Sequence, residues 1–92
     1  MNLTEKLNNL DTFVLKMKEK IVKTEHKNYS MDYEHVKYHL IDEILELFEL
    51  RDTQKGEKIR LILLSSEVKI DETIDIANLC QMLEMTYRNY SK

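Results

Sequence analysis

Proline and tryptophan are absent from this 92-residue chain, and glycine occurs once, as Gly56. A β-rich domain needs many turn residues, so this scarcity points to helices. It also excludes glycine-rich phosphate loops, because neither a P-loop nor a GxGxxG turn can be written with one glycine. Cysteine also occurs once, as Cys80, which excludes an internal disulfide framework. Set among apolar residues, Cys80 is expected as a buried, inert thiol. Basic charge is not in excess: Lys and Arg total 14 against 17 Asp and Glu, a net charge of −3. The basic stripe of a non-specific nucleic-acid binder is therefore missing. No apolar run approaches the ~20 residues of a membrane span. The opening MNLTEKLNNL lacks the basic-then-apolar order of a signal peptide. Hydrophobic residues, however, make up 42 % of the chain, too many for a disordered one. The expectation is a single all-α domain over residues 1–92, cytoplasmic, with no nucleic-acid or membrane partner.

The apolar pattern divides the chain into three or four helices. Leu3, Leu7, Leu10, Val14, Met17 and Ile21 follow a four-three alternation, a heptad seam on a helix from about residue 3 to 24. Asn2 followed by Glu5 reads as its capping box. This helix is expected to face the core; the sharper alternative is a seam packed on another subunit. The polar run 26–30 reads as a loop, with Ser30 or Asp32 capping a second helix from about 32 to 51. The apolar face of that helix is expected at Val36, Leu40, Ile44, Leu47 and Phe48. Residues 52–57 read as a turn, with Gly56 free to take positive φ. From 58 to about 90, Ile59, Leu63, Ile70, Ile74, Ala77 and Leu83 fit either one kinked helix or a short helix followed by a long one. Three or four such helices make a thin bundle, so homo-oligomerisation is expected to complete it.

Charged residues on helices usually form a solvated face, and two acidic pairs strain that reading. Glu43 and Glu46 are three apart, as are Glu72 and Asp75. That spacing is ~60° of rotation and ~4.5 Å of rise, which puts both carboxylates of a pair on one flank. The segment 42–50 carries Asp42, Glu43, Glu46 and Glu49 and no cation. Like charges this dense cost stability unless something positive sits among them. Leu47 and Phe48 adjoin one pair, and Ile74 and Ile76 the other, so both border apolar residues. If their helices pack antiparallel, four carboxylates can converge. An all-oxygen ligand set selects Mg²⁺ or Mn²⁺ and leaves positions for water and phosphate.

At this point HLIDEILELFEL (39–50) and DETIDIANL (71–79) resemble the acidic motifs of the MazG-like, all-α nucleoside triphosphate pyrophosphohydrolases. Glu43 and Glu46 match the first pair of that family, and Glu72 and Asp75 the second. The 25 residues from Leu47 to Asp71 suit its hairpin between the two motifs. Asp75-Ile76-Ala77-Asn78 is similar to the run that follows its second motif. The resemblance covers roughly the second half of the first helix through residue 85. Asp42 stands where many members have Glu, and a base-stacking Trp of some members is missing.

The resemblance implies cleavage of a nucleoside triphosphate between the α and β phosphates, giving monophosphate and pyrophosphate. It implies Mg²⁺, with Mn²⁺ as a substitute, held by Glu43, Glu46, Glu72 and Asp75. Glu46 or Asp42 would take the proton of the attacking water. Asn78, Lys27 and Tyr29 are the expected substrate contacts, with Tyr33 as a second stacking candidate and Arg60 and Arg88 as further phosphate cations. An even oligomer, homodimer or homotetramer, is also implied. Two other readings compete. His35, His39 and Glu43 form a row at spacings of four that suits a transition metal, although surface histidines beside an acidic helix are more often structural. A non-catalytic helical interaction or nucleotide-sensing protein would use the heptad seam and the Met82 and Met85 end to meet a partner helix.

Overall fold

The computed structural model describes residues 2–25 and 32–90, apart from the side chain of Asn89. The described residues are helical, with no strand among them: α1 (Leu3–Thr24), α2 (Tyr33–Leu47), α3 (Gln54–Leu64) and α4 (Glu72–Tyr90). They belong to two compact units, residues 1–28 with 69–92 and residues 29–68. In the first, α1 packs on α4; in the second, α2 packs on α3.

α1 starts where its cap dictates. Asn2 is in extended conformation, and its side chain accepts from the Glu5 backbone N–H at 2.9 Å. Its amide in turn donates to Glu5 Oε1 at 3.0 Å, so cap and third helical residue hold each other. The expected core-facing role of α1 is not met. None of its residues is buried, and of the seam only Leu10 is half-covered, while Leu3, Leu7, Val14, Met17 and Ile21 are exposed. Polar side chains link it to α4. Asn9 donates to Gln81, which is buried, and Lys16 pairs with Glu84. Cys80 is exposed, which corrects the expected buried thiol. The apolar residues of α4 do not define an inward face, since Ile74, Leu79 and Leu83 are exposed too.

The Lys16 ammonium, by its hydrogen bond, holds the Glu84 carboxyl below its ordinary value of 4.5; partial burial opposes this, and the Lys16 and Arg88 charges add to it. A depressed folded-state pKa contributes stability above the unfolded value, and that contribution is lost as pH falls through the folded value. Acidification below about pH 4.5 is therefore expected to loosen the α1–α4 pair. Unfolding measured against pH should show this loss in the parent and a shallower one in Glu84→Gln; parallel curves would refute it.

The second unit is a helical hairpin. α2 was expected to reach about residue 51 but ends at Leu47, because the chain reverses there. Glu49 takes φ 58°, the Leu50 N–H reaches back to the Leu45 carbonyl at 2.8 Å, and the Glu49 N–H to the Glu46 carbonyl at 3.0 Å. This pair of bonds is a Schellman closure, with a glutamate in the left-handed position usually given to glycine. Asp52, at φ 63°, completes the reversal. Thr53 then caps α3, accepting from the Gly56 N–H at 2.9 Å. Gly56 lies inside α3 and has no positive φ, which corrects its reading as the turn residue.

Its role is close approach. A Cβ at Gly56 would overlap the Leu50 carbonyl oxygen and stand 2.9 Å from the Leu50 carbonyl carbon. The apolar core of this unit is Ile41 and Leu45, both buried. Of the five residues expected to form the inner face of α2, Val36, Leu40, Leu47 and Phe48 are exposed and only Ile44 is half-covered. The buried stripe is thus rotated away from the expected one. Apolar residues encircle most of α2, so their period does not select a side. Of the two readings for residues 58–90, the short helix followed by a long one is observed, with α3 closing at Ser65, whose backbone N–H donates to the carbonyls of Leu61 and Leu63.

Candidate functional site

Asp42, Glu43 and Glu46 lie along α2, and Glu72, Asp75 and Asn78 along the first turns of α4. Each motif is therefore carried by a helix, as its spacing demands. Glu43, Glu46, Glu72, Asp75 and Asn78 are exposed, and Asp42 is half-buried. The two sets belong to different units. Among the described residues, no group of three or more His, Cys, Asp or Glu side chains is placed to hold a metal ion. Lys27 and Tyr29 lie outside the described residues, as does Ser30. Asp32 is the observed cap of α2, accepting from the His35 N–H at 3.3 Å.

The acidic run of α2 was expected to need something positive among its carboxylates, and Arg51 and Arg60 supply it. Arg60, buried on α3, donates to Asp42 Oδ1 at 2.7 Å and lies 3.4 Å from Glu57. Its guanidinium carbon stands 5.2 Å from the centre of the Tyr38 ring, a cation–π placement. Arg51, in the turn after α2, meets Asp42 Oδ2 at 3.1 Å and Glu46 Oε2 at 3.0 Å. Both oxygens of Asp42 are thus engaged by guanidinium groups. The hydrogen bond to Asp42 is the main cause that raises the pKa of Arg60, and the charge of Asp42 the main cause that raises that of Arg51. Both shifts favour the charged form that arginine already holds at neutral pH.

This arrangement sorts the candidates. Asp42 ties α2 to α3 and to the turn between them, and Arg60 is committed to it rather than open to phosphate. Glu46 has one exposed arginine partner, whose side chain is itself 44 % exposed. Glu43 makes no ion pair with any described residue. Arg88 is exposed and sits 3.3 Å from Glu84. Tyr33, the first residue of α2, is exposed. The pairing of Arg51 and Arg60 with Asp42 was missed in the sequence. The partners stand nine and eighteen positions away, beyond any rule of helical spacing. The one local signal was Arg51 itself, directly after the acidic run.

Compared with known proteins, the chain matches no family model, no curated relative and no solved structure. No described helix is long and apolar enough to cross a membrane.

Proposed function

We propose that this chain is a Mg²⁺-dependent nucleoside triphosphate pyrophosphohydrolase that cleaves the α–β phosphoanhydride to a monophosphate and pyrophosphate. The observation that carries this reading is the pair of exposed i, i+3 carboxylate sets, Glu43 with Glu46 on α2 and Glu72 with Asp75 on α4. They stand in the motifs that resemble the MazG-like enzymes. The donors are all carboxylate oxygens, which fit a hard divalent cation, Mg²⁺ or Mn²⁺, better than a softer one. Such a cation, when bound, neutralises phosphate oxygens and makes water more acidic. By the resemblance, Glu43 and Glu46 on α2 and Glu72 and Asp75 on α4 are the residues that would bind such cations, and Asn78, one turn past Asp75, would meet the nucleotide. Glu46 is the better proton acceptor of the two candidates, because only one exposed arginine must turn away, whereas Asp42 is held on both oxygens.

Self-association belongs to the same reading. Each unit is a pair of helices, and α1 keeps its heptad seam exposed. A second copy of the chain, in a homodimer or homotetramer, covers that seam. A cytoplasmic setting, where nucleotides are abundant, goes with this activity.

The test is pyrophosphate release from a panel of ribo- and deoxyribonucleoside triphosphates with Mg²⁺ or Mn²⁺. Metal-dependent release is expected in the parent and is expected to vanish in Glu46→Gln and Asp75→Asn, with helical content unchanged. Full turnover in either variant overturns the carboxylate assignment. No release from any nucleotide by a folded chain overturns the activity. The exposed seam of α1 favours a second reading in that event, a helical interaction protein, which would show no Mg²⁺-dependent rise in melting temperature.

A further inference from the structure

The turn of α2 nearest its start carries a feature that the proposed hydrolase chemistry does not use. His35 and His39 are four apart, so their rings share one face of the helix. Their Nε2 atoms stand 2.9 Å apart, with ring centroids at 4.4 Å and planes at 73°. His35 is exposed and His39 half-buried. Tyr38 lies edge-on to the His39 ring, with centroids 6.2 Å apart. For two neutral rings, such a contact has one Nε2–H donating and the other Nε2 accepting. The same two nitrogens are therefore already gathered at one point on the surface of the helix.

Their separation carries chemical information. Imidazole nitrogens bind first-row cations at about 2.0–2.1 Å, so two of them this close can reach one cation once the rings turn their lone pairs toward it. No third His, Cys, Asp or Glu among the described residues joins them in a group.

We propose that His35 and His39 form a two-imidazole chelate, through both Nε2 atoms, for a divalent first-row transition cation such as Ni²⁺ or Cu²⁺. Water completes the coordination. On binding, the ring that carried its proton on Nε2 exchanges it through solvent for one on Nδ1. The site is separate in chemistry from the carboxylates of the proposed hydrolase, which suit a harder cation.

The experiment is calorimetric titration of the full, untagged chain at neutral pH with NiCl₂ and, separately, with ZnCl₂. One cation per chain is expected in each titration. In His35→Ala and in His39→Ala, Ni²⁺ affinity is expected to fall by roughly tenfold or more, the equivalent of at least ~1.4 kcal/mol. His39→Gln, which keeps a polar side chain of similar reach, should lose affinity to the same degree, and helical content is read alongside by circular dichroism. Glu46→Gln should bind Ni²⁺ as the parent does, which separates this site from the hydrolase centre. Unchanged Ni²⁺ affinity in the histidine variants, or no Ni²⁺ bound by the parent, overturns the proposal.

Discussion

Gly56→Ala is expected to destabilise the α2–α3 hairpin by about 1–3 kcal/mol, the range for forcing an extra methyl into a filled space. The sign is the informative part. In an open helix the same change gains up to ~1 kcal/mol, because alanine is the better helix former. Here the new Cβ would overlap the Leu50 carbonyl oxygen and press on Thr53 Oγ1 at 3.0 Å. Neither neighbour is free to give way. The Leu50 carbonyl accepts from the Thr53 hydroxyl at 2.6 Å and from the Thr53 N–H at 3.2 Å. The same hydroxyl accepts from the Gly56 N–H, so the alanine would pry apart the cap of α3 and the end of the reversal together. Urea unfolding followed by circular dichroism measures this. Lys55→Ala, one residue earlier and exposed, serves as control and should stay within about 0.5 kcal/mol of the parent. A more stable Gly56→Ala chain would refute the close approach.

Leu45→Ala should cost more, roughly 2–5 kcal/mol. Leu45 is 2 % exposed, and with Ile41 it makes up the buried apolar core among the described residues. Truncation removes the methyl groups from an apolar setting and leaves a cavity that a short hairpin can close only by shifting α3. Total stabilities of small domains are about 5–15 kcal/mol, so one such change takes a large share. The midpoint of urea unfolding, at fixed chain concentration, should fall sharply. Leu47→Ala, two residues on and 56 % exposed, should cost far less in the same assay. The reverse order would mean that the Leu47 side of α2 is the covered one in solution.

How far the sequence reaches depends on the range of the interaction involved. α1 was readable to the residue at both ends, because its start is set by Asn2 and Glu5, partners three positions apart. The placement of both acidic pairs on helices was readable for the same reason, since i, i+3 spacing is a local property. The end of α2 was not, because the chain reverses through Glu49 and Asp52 at positive φ, positions where glycine or asparagine would have been the signal. Gly56 misled in the complementary way. Its permissive backbone is not what the fold uses; its missing side chain is.

Composition and period alone therefore determined that this chain is helical, where its acidic and histidine pairs sit along the helices, and how α1 begins. Tertiary structure decided which side of α2 is inside, that Asp42 is clasped by Arg51 and Arg60, and that Cys80 lies exposed. The reason is physical. Helical period and caps are written within four residues, whereas a buried face and an ion pair across a hairpin arise only when distant segments compete for the same space and the same charge.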